Sequence, residues 1–339
     1  ISNLPSPLPT MVLLRSTLLL ATAVFSLAVP LQSGPDSVEM LAFGDWGGSE
    51  DASKLYKTLA EVAVSHGGEK QMDEGDIDFV LALGDNFYSH GVVDVDDKRF
   101  QETWQDVFKT SHYKTPWYVL AGNHDHNGNV SAQIAYTQKD PSKRWDFPDY
   151  YYSKTVAVGS KTLEIVFIDT ILLCGANFST IDEEFRLPLD EQSSATQWQW
   201  IEQTLSSSTA DWLFVVGHYP VWSIAEHGPT GCLVEQLPAL LEKYKVAAYM
   251  NGHDHNQQHL VSNGVNYFVN GAAHGVDDST ANAGKVPKDS LKFHWAKMGA
   301  DTGAYSKIKF TETIMEVKYY NQHGDTIYKV NVTNPRSTE

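Results

Sequence analysis

The stretch Gly84-Asp85-Asn86-Phe87-Tyr88 constrains this chain most, because it follows directly on the apolar run Phe79–Leu83. The run has the length and composition of a buried β-strand, and the glycine permits a sharp turn after it. The turn then presents a carboxylate and a phenol close together. Both are hard oxygen ligands, so the end of this strand is predicted to hold a metal ion.

Other apolar runs along the chain also end in side chains that commonly bind metals. These runs are Val38–Phe43, Trp117–Ala121, Trp212–Val216 and Val246–Asn251, followed by Asp45, by Asn123 with His124, by His218, and by His253 with His255. Because the carboxyl ends of strands in an α/β sheet meet at one edge, we expect these side chains to converge. The set predicts a hydrolytic site for two metal ions.

Taken singly, each of these residues has an ordinary structural explanation. An aspartate after a strand is more often a turn residue or a helix cap, and a lone histidine more often belongs to the surface or the core. We leave this explanation for His66, His112, His259, His294 and His323. It does not suit the ordered set Asp, Asp with Tyr, Asn-His, His and His-x-His, because independent turn residues have no reason to follow that order.

Strands, loops and helices alternate along the first half of the chain, with helices predicted near Leu55–Ala63, Phe100–Phe108 and Val130–Gln138. The second half adds a predicted hairpin, helices near Trp198–Leu205 and Leu237–Leu241, and a tail that is wholly β. The hairpin strands are Tyr150–Val158 and Leu163–Asp169, and the tail strands are Tyr305–Phe310, Ile314–Tyr320 and Thr326–Val330. We predict an α/β fold with one domain over residues 36–332, in which two mixed β-sheets pack together between helices. Residues 174–195 are rich in Ser, Thr, Asp and Glu, which predicts a long exposed loop.

The first part of the chain predicts export. Residues 11–33 combine Arg15 with an apolar run about as long as that of a secretory signal peptide, whereas residues 1–10 lie upstream of Met11 and are predicted not to be native. The only cysteines are Cys174 and Cys232, and in an exported chain an even count suggests one disulfide, with two buried thiols as the alternative. Glycan acceptor triplets begin at Asn129, Asn177 and Asn331.

The net charge restricts the partners. The chain of 339 residues has a formal charge of −17, and no block of Lys and Arg offsets it. This charge argues against nucleic acids and anionic membranes as partners, and no segment has the length of a membrane span. A site for phosphate in this protein must therefore create its own local positive charge.

With these residues the chain resembles the metallophosphoesterase superfamily, and more narrowly the small, tartrate-resistant purple acid phosphatases of animals. The resemblance extends to the segments 129–136, 143–145 and 221–230 and to the two cysteines. Many metallophosphoesterases carry Asp-x-His after the first strand, but here Gly47 occupies the position of that histidine. Tyr88 can supply the missing ligand, and a phenolate suits Fe(III).

The resemblance implies a four-layer α-β-β-α sandwich of the calcineurin-like type, and it implies a role for each site residue. Fe(III) is expected at Asp45, Tyr88 and His255, a divalent ion, Fe(II) or Zn(II), at Asn123, His218 and His253, and Asp85 is expected to bridge the two ions. His124 and His227 match the two histidines that face the substrate, and His227 is expected to be the general acid.

The implied function is an acid phosphatase that hydrolyses phosphate monoesters by attack of a metal-bound hydroxide. Its expected substrates are small phosphomonoesters and phosphoproteins, and we expect a monomer that is lysosomal or secreted. The alternatives are a hydrolase of phosphodiesters or nucleotide anhydrides at the same centre, and an iron-carrying or redox glycoprotein. The sequence departs from mammalian members at Ser89-His90 and at residues 273–276, which we expect to reshape the rim of the pocket.

Overall fold

A computed structural model of the protein describes residues 34–48, 56–175, 191–297 and 303–337. The predicted signal peptide and upstream segment, the acceptor Asn177 and most of the predicted 174–195 loop lie outside these residues. The stretch Ser33–Glu339 forms one compact unit. The domain limits of 36 and 332 stay a prediction.

Strands make up most of the regular structure. In chain order they are β1 (Val38–Phe43), β2 (Phe79–Leu83), β3 (Trp117–Leu120), β4 (Trp145–Asp146), β5 (Tyr152–Val158), β6 (Lys161–Phe167), β7 (Trp212–Val216), β8 (Ala248–Asn251), β9 (Gln257–Ser262), β10 (Val265–Asn270), β11 (Leu291–Trp295), β12 (Ala304–Phe310), β13 (Ile314–Asn321) and β14 (Thr326–Thr333). The helices are α1 (Tyr56–Glu74), α2 (Asn123–His126), α3 (Val130–Lys139), α4 (Thr170–Cys174), α5 (Glu191–Ser207) and α6 (Gly231–Lys243).

The strands form two seven-stranded sheets, ordered β14-β13-β12-β1-β2-β3-β4 and β11-β9-β10-β8-β7-β6-β5. In the first sheet β1, β2, β3 and β4 are parallel, whereas β12 to β14 add antiparallel strands beside β1. In the second sheet β6, β7, β8 and β10 are parallel, and β5, β9 and β11 are antiparallel to their neighbours. Both sheets are mixed, which confirms the predicted α/β fold of two mixed sheets with helices.

Alternating side chains of one strand show how the layers pack. In β7, Trp212, Phe214 and Val216 belong to the core between the sheets, whereas Leu213 and Val215 belong to a second core with residues of α5 and α6. Successive side chains of a strand point to opposite faces, so this sheet is covered on both sides. This explains why β7 is apolar along its whole length instead of alternating with polar residues.

An aromatic cluster packs behind the loop that carries Asp45. The Trp46 ring lies 5.6 Å from that of Trp117 and 5.5 Å from that of Phe108, in edge-on contacts. Trp104 and Trp145 continue the cluster with their ring centroids 5.0 Å apart. Large rings in edge-to-face contact restrict one another, so the loop after β1 rests on a rigid base.

The predicted disulfide is present between Cys174, the last residue of α4, and Cys232 in α6. The two Cα atoms lie 5.6 Å apart, within the range that a disulfide requires. The bond ties together two helices that cover the same face of the second sheet.

Several local predictions were wrong. The helix predicted at Phe100–Phe108 is a short π-helical segment, Phe100–Gln105, and the loop predicted to run to residue 195 ends earlier, because α5 begins at Glu191. The first turns of α5 are polar, so they carry no apolar period. The strands β9 and β11 were not predicted, since glutamine, histidine and lysine interrupt their apolar pattern. Among the described helices, none is both long and apolar enough to cross a membrane.

Candidate metal centre

Four of the five predicted strand ends supply residues that line one cavity of about 230 Å³. The first sheet contributes the loops after β2 and β3, and the second sheet contributes those after β7 and β8. Asp45, in the loop after β1, joins them by accepting from the backbone N–H of His253. The residues that line the cavity are Asp85, Asn123, His124, Glu226, His227, His253, His255 and Asp277. The parallel strands of each sheet thus bring their carboxyl ends to a shared edge, as expected.

One group of predicted ligands surrounds the phenol of Tyr88. The Tyr88 hydroxyl donates to Asp45 Oδ1 at 3.0 Å and lies 3.2 Å from His255 Nε2. His255 Nε2 is also 3.5 Å from Asp45 Oδ1. These side chains come from three different loops, yet their donor atoms are close enough to bind one ion.

A second group surrounds His218. Its Nε2 atom is 3.0 Å from Asn123 Oδ1 and 3.4 Å from Asp85 Oδ2. One donor atom from each of Asp85, His218 and His253 lies within 4.8 Å of the other two. The seven predicted ligands therefore form two clusters of contacts, and Asp85 interacts with both, with Tyr88 in the first and with His218 in the second.

Each of the two buried aspartates uses its oxygens for different partners. Asp45 Oδ1 accepts from Tyr88, while Asp45 Oδ2 accepts from the backbone N–H of His253 at 2.8 Å. Asp85 Oδ2 faces His218, while Asp85 Oδ1 accepts from the backbone N–H of His124 at 2.9 Å. Each carboxylate thus fixes a neighbouring loop as well as facing a possible ion.

The backbone at three predicted ligands is left-handed, with φ of 59° at Asp45, 53° at Asp85 and 71° at His253. Such conformations cost of the order of 1–3 kcal/mol for residues other than glycine, and they cluster at functional sites. Two glycines permit the close packing around them. A methyl group on Gly122 or Gly252 would collide with the carboxylate of Asp85 or Asp45.

Hydrogen bonds set the orientation of two imidazoles. His218 Nδ1 lies 2.9 Å from the carbonyl oxygen of Leu83, and His124 Nδ1 lies 2.8 Å from that of Ser89. A carbonyl can only accept, so in both rings Nδ1 carries the proton. In the neutral form Nε2 of His218 is then left with its lone pair directed at Asn123 and Asp85, as a metal ligand requires.

The buried charges perturb the pKa values of the site. Burial and the neighbouring charges of Asp45 and Asp85 raise the pKa of the Tyr88 phenol well above its usual value. Burial opposes charging of His218, but the carboxylates of Asp85 and Asp45 outweigh it and raise the pKa of His218 to about 9. Although burial would raise the pKa of Asp85, His218 and His124 hold it below its usual range.

His227 lies at the open side of the cavity, where it is exposed. Its backbone N–H donates to Asp254 Oδ1 at 3.0 Å, and its ring stacks on that of His253 with centroids 4.1 Å apart. Asp254 lies between His253 and His255 in the chain. It therefore ties the loop of His227 to the loop that carries two predicted ligands.

The two stretches that were expected to reshape the pocket rim both contact residues of the site. The His274 ring stacks on the Tyr88 ring with centroids 5.4 Å apart, and Ser89 supplies the carbonyl that orients His124. Burial and the neighbouring His255 lower the pKa of His274 to about 4. A neutral imidazole therefore covers one face of the phenol.

Asp125 is the main residue that sequence reasoning missed at this site. Its carboxylate is buried and accepts from the backbone N–H groups of Gly122, at 2.8 Å, and Asn86, at 3.0 Å, and from the Gln133 side chain. Burial and the charge of Asp85 raise the pKa of Asp125 to about 6. The residue stands beside the predicted ligands in Gly-Asn-His-Asp, but nothing in that motif shows that it joins the loops after β2 and β3.

The donor set fits two metal ions. The seven predicted ligands offer two carboxylates, a phenol, an amide oxygen and three imidazoles, and within the described ranges no lysine or arginine lines the cavity to balance the carboxylates. The oxygen-rich cluster at Tyr88 suits Fe(III), and the cluster at His218 suits Fe(II) or Zn(II). That these side chains bind metal stays a prediction.

Two of the predicted glycan acceptors lie on the surface. Asn129 and Asn331 are both exposed, as glycan acceptors must be, and Asn129 also caps α3 by accepting from the backbone N–H of Ala132. Their glycosylation stays a prediction. His259, which was left to the surface or the core, is buried and contacts Tyr328 and Asn266 instead of the cavity.

Comparison with known proteins gives close relatives. A sequence model described as calcineurin-like phosphoesterase matches residues 39–257. Tartrate-resistant acid phosphatase type 5 of Homo sapiens is 42% identical over 297 residues, which cover 86% of this chain and 90% of that protein. The protein of the same name from Sus scrofa is 40% identical over 325 residues, which cover 94% of each chain. GAP50, the anchor in the inner membrane complex of Plasmodium, has a TM-score of 0.72 at 21% identity, covers 88% of this chain and 89% of its own, and shows a shared fold alone.

Proposed function

This chain belongs to the calcineurin-like phosphoesterase family, and on that premise we propose that it is an acid phosphatase that hydrolyses phosphate monoesters at a centre of two metal ions. The observation that carries the proposal is that predicted ligands from five strand ends contact one another around one cavity, in two clusters of contacts. A protein that binds one ion for structural purposes needs only one such cluster.

The two clusters support an assignment of the metals. Asp45, Tyr88 and His255 would hold Fe(III), Asn123, His218 and His253 would hold Fe(II) or Zn(II), and Asp85 would lie between the two ions. The anionic oxygen donors belong to the first set, which accords with the preference of Fe(III) for hard ligands. The single amide donor belongs to the second set.

When bound, the two ions attract the phosphate oxygens and lower the pKa of a water molecule enough to supply a nucleophile in acid solution. The side chains prepare the site for this chemistry. Tyr88 must release its phenolic proton, which burial and the charges of Asp45 and Asp85 otherwise hold. His124 keeps Nδ1 on the Ser89 carbonyl and so turns Nε2 towards the cavity, where it can donate to a phosphoryl oxygen once protonated.

His227 would be the proton donor to the leaving oxygen. It lines the cavity from the loop after β7, it is exposed where an alcohol must depart, and Asp254 fixes its backbone. The other candidate, His124, lies on the opposite loop, after β3. A donor at the open side can protonate an alkoxide as the bond to phosphorus breaks.

We propose that the protein enters the secretory pathway and becomes a lysosomal or secreted enzyme. The disulfide between Cys174 and Cys232 supports this proposal, because such bonds persist in oxidising compartments. The exposed acceptor sites Asn129 and Asn331 accord with it. We propose small phosphomonoesters and phosphoproteins as substrates, and a monomeric enzyme.

The test is metal analysis of the purified protein together with its visible spectrum and its activity. We expect two metal ions per chain, a colour from charge transfer between Tyr88 and iron, and faster hydrolysis of a phosphate monoester than of its methyl diester. Tyr88→Phe should lose the colour. Tyr113→Phe is the matched control, because Tyr113 is also buried but donates to the Ser65 carbonyl outside the cavity.

Different results would contradict different parts of the proposal. A wild-type protein that binds iron without colour would refute the assignment of Tyr88. Faster hydrolysis of the diester would replace the monoesterase with the diesterase alternative. Iron binding without any hydrolysis would leave the iron-carrying glycoprotein as the function.

A further inference from the structure

A buried pair of side chains lies behind the second cluster of ligands without lining the cavity. His126 Nε2 and Asp169 Oδ2 are 2.7 Å apart, and the side chains are 4% and 0% exposed. His126 ends the short helix α2 that begins with Asn123. Removing a carboxylate and an imidazole from water is costly, so a pair of this kind calls for an explanation beyond packing.

Asp169 is itself held in place from several sides. Its Oδ1 atom accepts from the backbone N–H groups of Ile171 and Leu172, at 3.0 and 2.9 Å, and so caps α4. Its backbone N–H and carbonyl oxygen both bond to the side chain of Gln197 in α5. Asp169 is therefore held in place without His126, and its hydrogen bond fixes the position of His126.

Thr170, the next residue in the chain, bonds to the loop that carries His218. Thr170 Oγ1 accepts from the backbone N–H of Tyr219 at 3.0 Å, and Tyr219 directly follows His218. Asp169 and Thr170 thus hold the segments of Asn123 and His218, whose donor atoms are 3.0 Å apart. In the described chain, the side-chain hydrogen bonds of His126, Asp169 and Thr170 reach none of the residues Asp45, Tyr88 and His255.

We propose that His126, Asp169 and Thr170 are positioning residues that set the affinity of the divalent ion, independently of the iron. The inference rests on the proposed function, because it presumes that Asn123 and His218 bind that ion. A neutral amide oxygen is a weak ligand that binds well only when it is already in place. The loss of such outer partners typically weakens metal binding by about 10–100-fold.

The test measures the dissociation constant of Zn²⁺ by competition with a chromogenic chelator, on protein that retains its iron. Asp169→Ala and Thr170→Val should each raise this constant by about 10-fold or more, while the iron content and the visible band stay unchanged. Asp169→Asn should raise it by less than about 3-fold, because the amide can still cap α4 and donate to His126. His126→Gln should resemble Asp169→Ala.

His259→Gln is the matched control. His259 is also a buried histidine whose two ring nitrogens lie within hydrogen-bonding distance of neighbours, Tyr328 at 2.8 Å and Asn266 at 3.0 Å, but it does not line the cavity. The variant His259→Gln should lower the thermal midpoint and leave the dissociation constant of Zn²⁺ unchanged. Thr170→Val keeps the shape of the side chain, so this variant still tests the inference in case Asp169→Ala fails to fold.

The outcomes separate this inference from the function. Unchanged Zn²⁺ affinity in Thr170→Val and His126→Gln would overturn the inference and leave the phosphatase intact. Parallel loss of iron and zinc would also overturn it, because these residues would then support the whole site. A wild-type protein that takes up no divalent ion would refute the proposed function first, before any variant is compared.

Discussion

Removing the metals should leave a proton on His218 at neutral pH. Burial opposes that charge, but the carboxylates of Asp85 and Asp45 and the carbonyl of Leu83 raise the pKa of His218 to about 9. Asp85 and His253, the two other side chains of the same cluster, carry no proton that an ion would displace. Asp85 is already ionised, since His218 and His124 keep its pKa low, and burial with repulsion from His227 and His218 keeps the pKa of His253 well below its usual value.

The number of protons that Zn²⁺ displaces follows from these values. A group with a pKa of about 9 is about 90% protonated at pH 8 and half protonated at pH 9, whereas an ordinary histidine is about 3% protonated at pH 8. Binding to the cluster of Asp85, His218 and His253 should therefore release about 0.9 protons per ion at pH 8. The release should fall to about 0.5 at pH 9.

The assay adds less than one equivalent of Zn²⁺ to metal-free protein in weak buffer with an indicator dye, at several pH values from 7 to 9.5. Ionisation of a water on the bound ion would make the release grow with pH, so a release that falls with pH isolates His218. Nitrogen NMR of histidine-labelled protein gives a direct check. One imidazole should titrate near pH 9, and it should be missing from His218→Gln. A release near zero at pH 8, with every imidazole titrating below pH 7.5, would refute the reasoning.

Three further predictions concern stability and turnover. The pKa of His218 is higher in the folded protein than in the unfolded chain, so its pair with Asp85 stabilises the metal-free protein fully below about pH 6.5. About 3 kcal/mol of this stability is lost as the pH rises through 9. The free energies of unfolding in urea of wild type and His218→Gln should therefore diverge below pH 9. His227→Ala should slow alkyl phosphates about 100-fold but nitrophenyl phosphate much less, and equal losses would indicate a role in phosphate binding. Replacing Cys174 and Cys232 by serine opens a link with a sequence separation of 58, which should cost about 4 kcal/mol and lower the thermal midpoint by about 7 °C; an unchanged midpoint would contradict the entropic argument.

The ligand positions could be predicted because each stands at the end of a strand that is recognisable on its own. Runs such as Phe79–Leu83 are buried on both faces and therefore wholly apolar, and Gly84, with its positive φ and close neighbours His218 and Gly122, turns the chain directly after the strand. Strands at or near the edges gave weaker signals. In β9, Gln258 and His259 are buried but polar, because Gln258 bonds to the side chains of Ser223 and Asn256, and His259 to those of Tyr328 and Asn266.

The partners that hold the ligands could not be predicted in the same way. His126 and Asp169 are 43 residues apart, and they meet only because α2 follows a strand of the first sheet and α4 follows a strand of the second. No period or motif within either segment specifies that encounter. It depends on the packing of the two sheets, which the sequence pattern indicates only as a fold class.

In both Asp45 and Asp85, the two carboxylate oxygens have different partners, and this explains how the ligand loops are fixed independently of a bound ion. Asp45 and Asp85 adopt left-handed backbones at a cost of about 1–3 kcal/mol each. One oxygen of each carboxylate bonds to the backbone of the next ligand loop, His253 or His124, so these conformations also fix the loops against each other. The other oxygen remains directed at Tyr88 or His218, which are the groups that an ion would replace as its partners. An ion at the first cluster must displace the proton of Tyr88, and an ion at the second must displace that of His218, but neither need move the loops that carry them. Because the backbone is already fixed, the proton affinity of these two side chains, rather than loop reorganisation, should set how strongly metal binding depends on pH.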